Sequence, residues 1–408
     1  MTRLAEYETI VGREIIAELS SLASRVKRRK IVHVNSAKNG GGVAELLSSI
    51  VPLMQELGFD VRWETMRGDE EFFKMTKAIH NSLQRGLDVA DLTYVRTIAE
   101  RLEPIRLEWD IIFVHDPQPL GLVAERVEDK AEDDSVGSHL KPIWIWQCHI
   151  QITNPSQNLW KSLEDNYVRR YDAAIFSAEY VPPKDLGTRE FIIAPSIDPL
   201  SEKNKELDQT FIEGVLQSRG LGGRPIITQV SRFDYAKDPI GVIEAFQKVR
   251  KRFDCELVLA GSFAADDPEG LEVYSKVTKM AEGNKDIHVL NMLSDLEINA
   301  IQRASTIIIQ KSLKEGFGLT VSEALWKSKP VIGGATGGIV LQIKDGETGL
   351  LVSSVDEAAE KIEYVLEHPK EGEMLGRNGK EYVRENFLIT RQLRDYLKMI
   401  LELEEKKT

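Results

Sequence analysis

A chain of 408 residues, 42 % of them hydrophobic, has room for two or three domains at roughly 100–200 residues each. Its formal charge of −12 disfavours a nucleic-acid partner bound by phosphate neutralisation and fits simple solubility. Cys148 and Cys255 are the two cysteines, which excludes a disulfide framework and a CxxC zinc pair.

The opening "MTRLAEYETIVGREI" lacks the apolar core of a signal peptide, and no apolar run approaches the ~18 residues of a membrane helix. A soluble, cytoplasmic protein is expected. The abundance of Lys, Arg and Glu fits a heat-adapted source.

"KIVHVN" (30–35) reads as the first buried strand, and "NSAKNGGGVAE" follows it. Gly40, Gly41 and Gly42 open the next helix, where glycines admit close backbone approach and free N–H groups favour an anion. Neither the dinucleotide fingerprint GxGxxG nor a GK[ST] phosphate loop is present, which disfavours an NAD enzyme. The helix over 43–58 places Leu46, Ile50, Leu53 and Leu57 on one face and stops at Gly58. "DIIFVH" (110–115) and "PIWIWQCH" (142–149) are further strands, ending in His115 and His149. Alternation puts Trp144, Trp146 and Cys148 on one face and Ile145, Gln147 and His149 on the other. "AAIFSA" (173–178) completes this series.

"APSIDPLSEKNKELD" (194–208) has little apolar content and reads as an interdomain linker, with the boundary near Pro199. Strands then resume at 225–231, 255–262, 286–292, 305–310, 329–334 and 348–352, separated by helical segments such as 238–253. The expected domains are 1–198, 199–385 and a C-terminal helix over 386–408 that packs back on the first. The fold class is α/β, with two doubly wound, Rossmann-like parallel-sheet domains facing a cleft. Ligands in such folds bind at strand ends and helix starts.

Arg232 and Lys237, in "SRFDYAKDP", lie on the loop after the first strand of the second series and offer a fork and a point charge to phosphate. In "KEGFGLTVSEALWKSKPVIGG" (314–334), Gly316 and Gly318 break the chain before a helix begins at Leu319 or Thr320. Glu315 is therefore on a loop, and Glu323 is one turn into the helix. The helix dipole accounts for Glu323 but not for Glu315 or the glycines. A nucleotide-sugar accounts for all of them: N–H groups and cations take the diphosphate, Glu323 the ribose diol and Glu315 the sugar hydroxyls. The adjoining Gly316, Phe317, Gly318, Leu319 and Thr320 belong to the same donor site, and the base is expected beside Leu290.

Taken together, these segments resemble the retaining glycosyltransferases of family 4, with the GT-B fold. The E-x7-E pattern is Glu315 to Glu323, and the Arg–Lys contact loop is Arg232 and Lys237. Within that family, "HVNSAKNGGGVAELLSS", "GDEEFFKMTKAIHNSLQ", "HDPQPLGL" and "WIWQCHIQ" look like the trehalose glycosyltransferring synthases. Those join glucose from a nucleoside diphosphate-glucose, such as UDP-glucose or ADP-glucose, to free glucose. Gln147 and Gln151 depart from the Arg and Asp expected there.

The resemblance implies front-face attack, with His149, Glu315, Arg232 and Lys237 at the reaction centre. Acceptor glucose would be held by Gly40, Gly41, Gly42, His115 and Asp69 or Glu70. Retaining glycosidases place two carboxylates about 5 Å apart, one as nucleophile; with Glu315 and Glu323 on different parts of the donor, neither takes that role. No cofactor or metal is needed, since Arg and Lys handle the phosphates; Mg²⁺ is compatible but not essential. The acidic pairs at 132–135 and 265–268 read as exposed loops. Expected partners are the nucleotide-sugar, glucose and trehalose, with room for a homodimer. A trehalose phosphorylase, another family 4 sugar transferase and a non-catalytic sugar-nucleotide sensor stay open as alternatives.

Overall fold

Six short β-branched and aromatic runs form the first sheet: β1 Lys30–Asn35, β2 Asp60–Thr65, β3 Ile111–His115, β4 Ile143–Cys148, β5 Ala173–Phe176 and β6 Arg189–Ile192. The computed structural model describes residues 4–38, 41–67, 70–86, 95, 109–126, 141–150, 152, 155–178, 186–261 and 268–406. All pairings in this sheet are parallel, in the order β2-β1-β3-β4-β5-β6. Every residue of β3 and β4 is buried, as a parallel sheet covered on both faces requires. The sequence reading missed β2 and β6. Both are edge strands carrying exposed charges such as Arg62 and Glu190, so neither shows a continuous apolar run.

The second sheet comprises β7 Ile226–Val230, β8 Glu256–Gly261, β9 Ile287–Asn291, β10 Ile307–Gln310, β11 Val331–Gly334 and β12 Leu350–Val352. It is also parallel, ordered β12-β11-β10-β7-β8-β9. Alternation along β8 divides its side chains between two cores. Leu257 and Leu259 pack with the helices Pro239–Val249 and Val355–Glu367, while Val258 and Ala260 pack with Gln209–Ser218 and Asp295–Ala304. Each fully buried Leu or Ile contributes about 1.5–3 kcal/mol.

The chain divides into two units, Met1–Pro195 with Ile389–Thr408, and Ser196–Leu388. The helix Ile389–Lys406 is part of the first unit and buries Leu393, Tyr396, Leu397, Ile400 and Leu403 at helical spacing. Lys398 Nζ reaches Glu18 Oε1 at 2.9 Å, tying this helix to Arg13–Arg25.

The segment read as a linker is packed structure of the second unit from Ser196 onward. Asn204, 1 % exposed, donates to the Asp198 carbonyl at 3.0 Å, and Arg303 donates to the Asn204 and Lys205 carbonyls at 3.0 and 2.9 Å. Polar contacts order this stretch, so its low apolar content misled.

In each sheet the strand order reverses once, between β1 and β3 and between β7 and β10. Ligand crevices of doubly wound sheets lie outside the carboxyl ends of the strands at such a point.

Candidate active site

The loops after β7 and β10 are neighbours because those strands pair. The β7 loop ends in a single turn, Tyr235–Lys237, capped by Asp234, whose Oδ1 accepts the Lys237 N–H at 3.0 Å. The cap aims the Lys237 side chain across the switch point. Its Nζ donates to Glu315 Oε2 at 2.6 Å, and Ser312 Oγ donates to the same oxygen at 3.1 Å. The other oxygen, Glu315 Oε1, has no hydrogen bond among the described residues. Arg232 is 68 % exposed and pairs with Asp234 at 3.0 Å. A further cation, Lys311, is buried against the Asp238 carboxylate, which also caps the helix Pro239–Val249 by accepting the Gly241 N–H at 3.1 Å. Each of these cations thus has a carboxylate partner inside the second unit. Glu315 and Lys237, assigned by sequence to different parts of a donor, are here bonded to each other.

Gly318 turns the β10 loop into the helix Leu319–Trp326. Its φ of 83° is left-handed, and an added Cβ would lie 3.0 Å from Glu315 Cγ, so both backbone and space call for glycine. The loop is anchored from behind: Gly338 N–H donates to the Gly316 carbonyl at 2.9 Å and Gln342 Nε2 to the Phe317 carbonyl at 2.6 Å. Phe317 corrects the sequence reading, since its ring turns inward onto Phe387, 5.6 Å between centroids, and anchors the loop instead of facing a ligand. Leu290 is half-buried against the core around Val258, while Leu319 and Thr320 are half-buried at the helix start.

Glu323 is 2 % exposed, and its carboxylate makes no hydrogen bond or ion pair among the described residues. Beside it lies a residue that the sequence reading missed. Lys327, one turn on, is buried and donates to the Glu323 carbonyl and to Asn204 Oδ1, both at 3.0 Å. Burial pushes its ammonium down to about 7, opposed by the neighbouring Glu323 charge. Its spacing of four from Glu323 was the available signal.

In the first unit a row of imidazoles runs from the interior of β1 to the ends of β3 and β4. His33 Nδ1 lies 3.0 Å from His115 Nε2, and His115 Nδ1 lies 2.9 Å from His149 Nε2. The rings stack at 5.2 Å between successive centroids. Burial drives His33 down to about 3, lowers His115 well below its ordinary value and lowers His149, against the opposing charge of Asp116. All three are therefore neutral near pH 7.

Asp116, held at φ 69°, accepts the His149 backbone N–H at 2.8 Å and fixes the end of β4. His115 is 0 % exposed with both ring nitrogens taken by histidines, so it stands behind His149 and is not an acceptor contact. The sequence signal for His33 was a polar residue in the middle of an apolar strand.

Gly41, at φ 81°, precedes the helix Gly42–Glu56, and both glycines are exposed. Glu70 is exposed, at the start of Glu70–Arg85, and pairs with Lys74 at 2.7 Å. Gln147 faces the C-terminal helix, its Oε1 accepting from the Tyr396 hydroxyl at 2.5 Å, which makes it a packing residue. Gly40, Asp69, Gln151 and the acidic pairs at 132–135 and 265–267 lie outside the described residues. Among the described residues no group of three or more His, Cys, Asp or Glu is placed to hold a metal, and no helix is long and apolar enough to cross a membrane.

Two six-stranded parallel sheets, each with one switch point, give the chain a fold of the GT-B type. A solved α,α-trehalose-phosphate synthase (UDP-forming) from Burkholderia xenovorans shares this fold at TM-score 0.66 and 14 % identity, over 91 % of this chain and 100 % of that one. Residues 33–182 match the family described as trehalose synthase, N-terminal domain, and residues 216–382 match glycosyl transferases group 1. A trehalose synthase of Pyrococcus horikoshii is 43 % identical over 98 % of this chain and 96 % of its own. A trehalose phosphorylase of Pleurotus pulmonarius is 29 % identical over 87 % of this chain and 54 % of its own. The chain belongs to the trehalose synthase family.

Proposed function

We propose that this enzyme moves glucose from a nucleoside diphosphate-glucose to free glucose, with retention, to make α,α-trehalose. The carrying observation is the pairing of Lys237 with Glu315 on the β10 loop, together with Glu323 one turn into the helix that follows, whose carboxylate makes no hydrogen bond or ion pair among the described residues. Its oxygens keep their acceptor capacity open, and a vicinal diol supplies two donors to match. The ribose fits Glu323, and the transferred glucose fits the open Oε1 of Glu315.

When the donor binds, its diphosphate draws Lys237 and Arg232 and takes N–H groups at the start of Leu319–Trp326. As the anomeric C–O bond breaks, the electron pair stays on the leaving phosphate oxygen. Those fixed cations and dipoles stabilise the charge by a few kcal/mol per group. The acceptor hydroxyl attacks from the side on which the phosphate leaves and passes its proton to that phosphate oxygen. His149 and the Gly41–Gly42 turn hold the acceptor. Resident metal is not required, because the positive charge comes from side chains.

The test is a panel of nucleoside diphosphate-glucoses with free glucose, read by product identity and anomeric configuration. Trehalose plus a nucleoside diphosphate is expected. Trehalose made from maltose without nucleotide would overturn the reading, as would phosphorolysis of trehalose as the sole activity. Binding of the nucleotide-sugar without turnover would leave a sensor.

A further inference from the structure

The imidazole row also sets what His149 presents to its ligand. Near neutral pH the three rings carry one proton each. Each of the two nitrogen–nitrogen contacts needs one proton between its partners, since two bare nitrogens or two N–H groups at 2.9–3.0 Å would repel. That places two protons and leaves the third at an end of the row, on His33 Nε2 or on His149 Nδ1. His33 Nε2 is buried with no partner among the described residues. An N–H stranded there is the less tolerated choice, because buried orphan donors are rarer than under-satisfied acceptors.

We infer that His33 and His115 are positioning residues that hold His149 as the Nδ1–H tautomer, so that His149 meets the acceptor sugar as a hydrogen-bond donor and not as a base. The inference rests on the proposed acceptor role of His149. It extends that role two residues into the interior: His33 Nδ1–H donates to His115, and His115 Nδ1–H donates to His149. The ring of His33 is steadied by Phe113, stacked at 4.5 Å. Low proton affinity along the row keeps the arrangement neutral and single. A donor here agrees with a transfer in which the leaving phosphate takes the acceptor's proton.

Long-range ¹H–¹⁵N spectra of the full chain, labelled at its seven histidines, test this directly. His149→Gln and His33→Asn variants assign the signals. The expected wild-type result is a protonated, pyrrole-type Nδ1 on His149; an Nε2–H tautomer there overturns the inference, whatever the variants do. His33→Leu should let His149 populate both tautomers and lower kcat about tenfold, the worth of roughly one hydrogen bond, with little change in donor KM. His33→Asn, whose amide N–H replaces Nδ1–H, should restore both. A single unchanged His149 tautomer in His33→Leu would also overturn the inference. A wild-type Nδ1–H signal in a chain that transfers no glucose would support the tautomer assignment while removing the proposed activity.

Discussion

Lys237 and Glu315, separated by 78 positions in the chain, are joined by a 2.6 Å ion pair at the point where the second sheet reverses its strand order. Their side chains are only 16 % and 7 % exposed, so removing either one leaves the other poorly solvated and without its partner. Lys237→Ala is expected to lower turnover ~10²-fold or more by removing a fixed cation from the leaving phosphate. It should also cost up to about 3–5 kcal/mol of stability, because Glu315 is left buried and unpaired. Pairing Lys237→Met with Glu315→Gln should recover much of the melting temperature but none of the rate. Calorimetry beside initial rates checks this, and a near-normal rate in Lys237→Ala would contradict the phosphate role.

Glu323 differs from Glu315 in that its carboxylate has no hydrogen-bond or ion-pair partner among the described residues. Glu323→Gln keeps the shape but halves the acceptors, and Glu323→Ala removes them. Binding of the free nucleoside diphosphate should weaken about tenfold or more in Glu323→Ala, as expected for hydrogen bonds to a charged group. Titration calorimetry reads this without turnover; unchanged affinity would take Glu323 off the ribose.

Lys327 gives the protein a pH signature. Its folded value, about 7, is depressed below the ordinary 10.5, so between those values the unfolded chain binds the extra proton. Stability from this group therefore rises with pH from about 7 upward, and is least below 7, where the ammonium is charged and buried. The melting temperature of wild type relative to Lys327→Met should increase between pH 7 and 9. A difference that stays flat or falls would show that Lys327 remains charged throughout.

Side-chain cations carry the phosphate charge in the proposed mechanism. Excess EDTA should accordingly leave trehalose formation from nucleoside diphosphate-glucose and glucose within about twofold of its starting rate. Complete loss, restored by Mg²⁺, would return the acidic pairs at 132–135 and 265–268 to consideration as a metal site.

Local pattern alone carried much of this molecule. Short β-branched runs alternating with amphipathic helices specify covered parallel sheets, because strands buried on both faces must be apolar throughout. All of β7 to β12, and the glycine break before Leu319–Trp326, were legible for that reason. Where polar groups do the ordering, the pattern fell silent: in β2 and β6 at the sheet edges, and in the stretch around Asn204.

Only the tertiary structure decided which loop ends meet. Strand order puts the β7 loop beside the β10 loop, so Lys237 finds Glu315, and lines up His33, His115 and His149 from three strands. It also turned Phe317 inward and His115 behind His149. Periodicity along the chain assigns a residue to a face, whereas contacts across a sheet depend on how the faces are ordered in space. That ordering is a property of the packed whole.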